Sequence, residues 1–553
     1  MKRFCKIFAV VLAVLMLVTM STACKKQDDD INSVLNGGGT SINNNPNNNG
    51  DEGNGGTEGN GGTVDSNGST VGDGGTQGNG GTQGNGGATQ EELVQNFDST
   101  KKYDFASNPL LAESKPINTG VEPSFDLDTT GFVKNNIKIK DLKGKTLTLI
   151  TGLGDANFVY KGAKGEALNE WTWFESLKKT YGLNIKYIES RFDKAPTQIV
   201  TYMNAGKALD TYITHRAGFP HYLLISAPLD PYLNMQYADN SPGIDSRTME
   251  QMKWDGTYRC IAPIGAVDVL WYNETMAKSY GLQDPHTLWQ QDKWTWDTYQ
   301  DFVVAAPRTE STGTYALSIG WCSEGDAVAF YPRSNGINTF DIKTTNGKST
   351  IVSNFNDQKC ITAWETITGI GKGLGAVYNR RSGDPQNDMY QYGSTLMQGT
   401  TYLMKNFDYE YARTQKYNWV PYPGSTVENC MCMNYGNTMM LPKKTKNQSN
   451  IPYAVKFMEL WASRFTESIN DYLASSPFNF TYAQRKEYFE FAAKTNYFAI
   501  GTTVFNALTG QDLEYYKQFT WAFYNPNYNI TTTAEQLKNL VDKAVKEVAE
   551  FGT

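Results

Sequence analysis

WDGTYRCIAPIGAVDVLWYNETMAKSYGLQDPHTLWQQDKWTWDTYQDF, residues 254–302, is the stretch whose reading decides the fold. Its first part reads as a buried strand. Ile261, Ala262, Pro263 and Ile264, then Val267, Val269, Leu270 and Trp271, form an apolar, partly β-branched run interrupted by one proline and one glycine. A proline inside such a run belongs at a sheet edge, or where one strand ends and another begins. Tyr272-Asn273-Glu274 then turns the chain into a short helix that stops at Gly281. A loop carrying Asp284-Pro285 follows. A second helix starts at Thr295, with Asp297 in the first turn, where a negative charge suits the helix dipole. Trp296, Tyr299, Phe302 and Val303 fall on one face of it.

Upstream, the globular part opens at Gly144-Lys145. A strand at 146–150 (TLTLI) is followed by a helix with Trp171, Phe174, Leu177 and Tyr181 on one side. Then come a strand at 184–188, an amphipathic segment with Ile199, Val200 and Met203, and a strand at 209–214. This β-α-β-α-β order predicts a mostly parallel sheet with helices on both faces. Ligands of such sheets bind beyond the carboxyl ends of the strands, here residues 151–157 and Thr214-His215-Arg216. Downstream, 451–465 reads as an amphipathic helix with Val455, Met458 and Trp461 on one stripe. The last helix carries a capping box, Thr533-Ala-Glu-Gln536, and a stripe of Leu537, Leu540, Val541, Ala544, Val545 and Val548.

The chain has 553 residues, room for several domains, and a formal net charge of −7, which argues against a nucleic-acid partner. No Trp or Tyr occurs in the first 100 residues, so the 12 Trp and 33 Tyr belong to the remainder. A larger core explains most of these rings; a groove for the flat apolar faces of sugars is the second reading. Cys5 lies in the targeting segment. Leaving Cys24 aside, Cys260, Cys322, Cys360, Cys430 and Cys432 are odd in number, which excludes a full disulfide framework. Cys430-Met-Cys432 lacks CxxC spacing and reads as ordinary small buried residues.

Residues 1–24 read as an export signal. Lys2, Arg3 and Lys6 precede an uncharged apolar core at 7–20, too short to span a bilayer comfortably. Residues 25–95 are a Gly/Asn/Thr-rich linker in which GGTxGN recurs at 55–60, 74–79 and 80–85. With almost no apolar residues it is expected to be a disordered tether, with a reach of roughly 45 Å for Gly-rich coil. Residues 96–143 are an extension to which the sequence assigns no role.

Three signatures in one order resemble the extracellular solute-binding proteins, family 1, of ABC importers, the carbohydrate binders related to maltose-binding protein. They are Leu270-Trp271-Tyr272-Asn273, the Gly281-Leu-Gln-Asp-Pro285 turn, and the Trp294-Thr-Trp-Asp297 helix start. Weaker matches extend over residues 144–553. Among them are Gly206-Lys-Ala-Leu-Asp210, Pro228-Leu-Asp230, Gly393-Ser-Thr-Leu-Met397-Gln-Gly399, Trp419-Val-Pro-Tyr-Pro423 and Met433-Asn-Tyr-Gly436 leading to Pro442-Lys443. Ser21-Thr-Ala-Cys24 resembles a bacterial lipobox, with Ser21 where leucine is usual.

The resemblance implies a periplasmic-binding-protein-like α/β fold of type II, two lobes joined by a multi-strand hinge at 260–266 and 432–438. It places lobe 1 at 144–265 with 436–500, and lobe 2 at 266–435 with 501–553. It implies capture of a sugar or oligosaccharide between the lobes, delivery to ABC permease subunits, a diacylglycerol on Cys24 that anchors the chain on the extracytoplasmic membrane face, a monomer, and no cofactor or metal.

The candidate ligand-binding residues are Arg216, Trp321, Trp271, Tyr402, Asp255, Tyr435 and His215. Arg216 reads equally well as a solvated loop charge, Trp321 as a core ring, and His215 as a satisfied structural histidine. Tyr402 stands where the family pattern has Trp. HExxH, GxSxG and Walker A sequences are absent, and Gly371-Lys-Gly-Leu-Gly375 lacks P-loop spacing, so no catalysis is expected. The rival readings are a tethered glycoside hydrolase, a surface adhesin, and a peptide binder on the same scaffold.

Overall fold

The computed structural model describes residues 126–134, 136–151, 166–188, 190, 194–215, 218–241, 243–265, 267–306, 308–309, 314–315, 328–373, 396–400, 410–434, 437–474, 478–498, 501, 504–505, 508, 510–521 and 529–551. The fold rests on two five-stranded sheets. In the first, β1 (Thr146–Thr151) lies between β2 (Asn184–Ile188) and β3 (Thr211–Ile213), and both pairings are parallel. Helices α1 (Glu166–Tyr181) and α2 (Ala195–Asn204) make the crossovers. α1 packs on β2 and α2 on β1, and Phe174, Leu177 and Ile199 are buried. This is the β-α-β-α-β unit the sequence predicts. The sheet continues through β13 (Met439–Met440), antiparallel to β3, to β4 (Cys260–Ile261).

β5 (Val267–Asn273) is the axis of the second sheet, and every one of its residues is buried. One edge pairs with β10 (Met397–Thr400) and the other with β11 (Tyr417–Val420) and β12 (Cys432–Asn434), all antiparallel. β14 (Asn496–Tyr497) adds to β12 in parallel. The run 261–271 is therefore two strands in two sheets, with Pro263 between them, as a proline in that position demands.

After β3 come the short helix α3 (His221–Leu224) and α4 (Ser246–Gln251), whose start lies against the first lobe and which also packs on β14. After β5, Asn273 caps α5 (Glu274–Ser279) by accepting from the Met276 N–H, and Gly281 follows in the left-handed region. The Asp284-Pro285 segment, expected as a loop, instead opens α6 (Pro285–Gln290). Asp284 accepts from the Thr287 N–H and Pro285 takes the first turn, where its missing N–H costs nothing. α7 (Trp296–Ala305) starts at Thr295 as predicted, with Tyr299, Phe302 and Val303 buried.

Two hairpins follow, β6 (Arg308–Thr309) with β7 (Thr314–Tyr315) and β8 (Phe340–Thr345) with β9 (Lys348–Ser353). Asn346 and Gly347, at φ 52° and 73°, form the two-residue turn of the second. β9 packs with α12 (Ile530–Ala549), which in turn packs with α8 (Gln358–Gly373) and α11 (Gly510–Trp521). α12 begins one turn before the expected capping box. Asn529 accepts from the Thr532 N–H, so Thr533 is already inside the helix and buried. Of the expected stripe, Leu537, Val541, Ala544, Val545 and Val548 are buried and Leu540 is half-buried.

α9 (Ile451–Ala474) joins the lobes a third time. Its first half, with Val455, Met458 and Trp461, packs in the main core, and Ile469 and Leu473 pack with Val267 and Trp271. α10 (Tyr482–Thr495) then sets Tyr488 and Phe491 against Trp419, and β14 joins the second sheet. Residues 478–497, expected in lobe 1, thus contribute to the second sheet.

The end of the extension is part of the first lobe. Val133 bridges Leu233, the Lys134 N–H donates to Tyr232 O at 2.8 Å, and Leu127 and Phe132 are buried. Beneath it lies a buried ion pair. Lys456 Nζ is 2.9 Å from Glu459 Oε2, with side chains 3% and 0% exposed. Lys456 also donates to Leu127 O at 2.8 Å, and Glu459 Oε1 accepts from the Thr130 and Ser241 hydroxyls at 2.8 and 3.0 Å. Removing one partner of such a pair leaves a buried charge without compensation. Lys456→Met is expected to cost about 3–5 kcal/mol in urea denaturation, and Lys456→Met with Glu459→Leu to recover most of that loss.

α12 ends on the first lobe, where the Phe551 ring stacks on His221 at 3.9 Å between centroids. Burial lowers the His221 pKa to about 4. The unfolded chain takes up that proton near pH 6.5 and the folded chain does not until about pH 4. This group's contribution is complete above pH 6.5 and falls as pH drops towards 4. Urea denaturation across that window is expected to show His221→Phe gaining on the unaltered chain as pH falls; a constant difference would contradict the buried neutral ring.

Candidate functional site

The candidate site is the place where strands pass between the sheets. β4 leads into β5 through 262–266, and β12 leads into β13 through 435–438. The strands that flank the two passages are neighbours in both sheets. In the second sheet Met433 and Asn434 pair with Asp268 and Val267. In the first sheet Met439 and Met440 pair with Ile261 and Cys260. Two neighbouring antiparallel strands thus leave one sheet together and enter the other together.

Neighbouring backbone braces the first passage. Pro263 bridges Ile244, the Ile264 N–H donates to Gly243 O at 2.7 Å, and the Thr466 hydroxyl donates to Ile264 O at 2.7 Å. Gly243 sits at φ 95°, and a Cβ there would lie 2.8 Å from the Ser463 Cα. Only glycine lets α9 approach so closely. Asn434 Nδ2 donates to Asp245 Oδ2 at 3.2 Å and to Thr248 Oγ1 at 2.9 Å, while Asp245 caps α4. This buried cluster ties a second-sheet strand to a first-lobe helix end.

The carboxyl ends of β1 and β3 open beside the second passage. Thr151 ends β1, and Thr214 and His215 follow β3. The Thr214 N–H donates to Thr438 O at 2.8 Å, the Thr438 N–H donates to Thr214 Oγ1 at 3.0 Å, and the two hydroxyls are 2.9 Å apart. Continuing the Ile213–Met439 register places Asn437 opposite half-buried His215. The Asn437 Oδ1 is buried and, among the described residues, accepts no hydrogen bond. A buried acceptor in that state costs about 1–3 kcal/mol unless a donor arrives. The hydroxyl of a bound solute is such a donor. Asn437 was not among the sequence candidates; its only signal is its position one residue beyond Gly436 in the return passage.

Arg216, Trp321, Tyr402 and Tyr435 lie outside the described residues, as do Cys24 and Cys322. His215 is at the carboxyl edge of the first sheet, where the parallel topology puts it. Trp271 is corrected. It is 0% exposed, with ring centroids of Phe478, Tyr488 and Phe480 at 5.0, 6.2 and 6.4 Å, so its faces are occupied by protein. Its place in β5, between strands on both edges, dictates that burial. Asp255 is engaged with the β8–β9 hairpin, accepting from the Ser349 N–H at 2.8 Å. Cys260, Cys360, Cys430 and Cys432 are free and buried, and burial pushes the Cys430 thiol up to about 12. Neutral thiols of this kind are packing groups. Among the described residues no cluster of three or more His, Cys, Asp or Glu is arranged to hold a metal.

In fold the chain is similar to solute-binding proteins of ABC transporters. One is an ABC substrate-binding protein from Listeria monocytogenes in complex with cycloalternan, at 13% identity over 73% of this chain and 98% of that chain, TM-score 0.48. A second is the extracellular solute-binding protein from Staphylococcus aureus in complex with maltose, at 12% identity over 73% and 99%, TM-score 0.49. A third is the Thermus thermophilus maltotriose-binding protein, at 14% identity over 72% and 100%, TM-score 0.47. No family model and no curated protein matches the chain.

Because the Trp271 ring is core, Trp271→Ala is expected to lower stability by about 3–5 kcal/mol in urea denaturation. A variant with unchanged stability would return this ring to the ligand-stacking candidates.

Proposed function

We propose that the chain is the solute-binding component of an ABC importer. It captures a sugar or oligosaccharide between its lobes and hands it to the permease subunits. The observation that carries this reading is the pair of antiparallel strands that passes from one α/β sheet to the other. Such a linkage lets two rigid bodies rotate with little loss of hydrogen bonding, and a solute that contacts both bodies biases that equilibrium. The Leu270–Asn273, Gly281–Pro285 and Trp294–Asp297 signatures support the family, and they fall on β5, the Gly281 turn with the start of α6, and the start of α7. The polar edge at Thr214, His215 and Asn437 suits hydroxyl groups.

The N-terminal 24 residues support export, cleavage before Cys24 and acylation of its sulfur, with 25–95 as the tether. The protein would then act as a monomer on the extracytoplasmic face of the membrane. The binding step needs no bond-breaking chemistry.

Thermal-shift screening against mono- and oligosaccharides tests the function. A sugar at a hundredfold its Kd is expected to add about 2.7 kcal/mol to folding stability and raise the melting temperature. No shift with any sugar would count against a carbohydrate ligand. Release of reducing ends from an oligosaccharide would favour a hydrolase, and mass spectrometry showing an unmodified Cys24 would remove the anchor.

A further inference from the structure

Two contacts far apart in sequence join the first lobe to the β8–β9 hairpin and α12, and neither belongs to the passages. The first is at Asp255. The turn 254–257 is fixed to the first lobe by Arg259, whose guanidinium donates to Trp254 O at 3.1 and 3.0 Å and to Ser226 O at 2.7 Å. Asp255 sits in that turn at φ 52°, a left-handed conformation. Its N–H donates to Ser349 Oγ at 2.6 Å, and its Oδ1 accepts from the Ser349 N–H at 2.8 Å. Lys348 Nζ lies 3.9 Å from Oδ2. The exchange is reciprocal, so it fixes orientation as well as distance. The second contact is the His221–Phe551 stack, with ring planes 19° apart.

Both contacts reach one body. α12 packs on β9 and α8, and Thr531 Oγ1 donates to Glu365 of α8. The short 3-10 turn Tyr331–Asn335, which packs on α8, joins that body to the second sheet's surroundings, since the Ser425 N–H donates to Ser334 O at 2.8 Å and the preceding Phe330 packs on Tyr497 of β14 at 5.9 Å. A rotation about the passages must therefore break or slide both contacts.

We infer that Asp255–Ser349 and His221–Phe551 form a two-point clasp that holds the lobes in the observed arrangement and sets the balance between it and others. The inference rests on the two-lobe reading above. The clasp uses a small polar exchange and one ring stack. Contacts of this size are made and lost on rotation, whereas the buried core around the passages is not.

The test uses the full chain without added sugar. Paramagnetic labels are placed on cysteines introduced at exposed Lys178 and Lys543, one on each body. Asp255→Gly removes the carboxylate and keeps the left-handed backbone; Phe551→Ala removes the stack; Ser349→Ala checks the first contact from the other side. A control with Asn434→Ala and Thr466→Val loosens the passages. Folding of each variant is verified by circular dichroism.

The unaltered chain is expected to give one narrow distance distribution. Asp255→Gly with Phe551→Ala is expected to move the ratio of arrangements on the order of tenfold, seen as a second population. Ser349→Ala is expected to produce part of that change. An unchanged distribution in the clasp variants, with a shift in the control, would overturn the clasp and leave the hinge standing. No shift in any variant would overturn the two-lobe motion and the clasp with it.

Discussion

A strand buried on both faces and paired on both edges has no freedom to stop where it likes, and β5 is such a strand. Seven consecutive buried residues must find partners for every backbone N–H and C=O, because none can turn to water. β10 satisfies one edge, and β11 and β12 share the other. The chain enters this slot from the first sheet, through Pro263. That proline donates no hydrogen bond and so can sit where the ladder of one sheet gives way to that of the other. β12 must leave by the same route, since it is the antiparallel neighbour of β5 below and continues into β13, the neighbour of β4, above. The two passages are one feature, imposed by pairing.

Polar groups then determine how stiff that feature is. The Asn434–Asp245–Thr248 cluster and the Thr466–Ile264 bond hold the passages against the first lobe. The Lys456–Glu459 pair lies on the same helix, α9, and binds the extension at 126–134 to the first lobe. Each buried polar group in these clusters has a partner, which is the condition for burial without a large penalty. Asn437 Oδ1 departs from that condition beside the return passage, where among the described residues it has no donor. Under the proposed function, a solute hydroxyl would satisfy it, and a ligand lacking that donor would leave it open.

The legible parts of the fold were those with local causes. The strand starts at 146 and 184, the helix start at Thr295 and most of the stripe of α12 follow from periodicity and capping. α6 was missed although Asp284-Pro285 is a good start signal, because its six residues carry too little periodicity to outweigh a turn reading. Trp271 shows the limit most plainly. A tryptophan at the end of an apolar run can face a ligand or a core, and the run alone does not say which. Phe478, Phe480 and Tyr488, about 200 residues downstream, decide it. Asp255 is the same case with a polar group: its partner Ser349 is 94 residues away.

What the sequence determined by itself was the alternation of strands and helices, the break at Pro263 and the low-complexity segment ahead of the folded part. These depend on neighbours a few residues apart, whose chemistry can be read directly. What only the tertiary structure decided was which strands share a sheet, that α9 joins the lobes a third time, and which side chains have their faces covered. Those outcomes depend on contacts between residues hundreds of positions apart. The free energy of such a contact exists only once both partners are in place, so neither partner's own sequence neighbourhood records it.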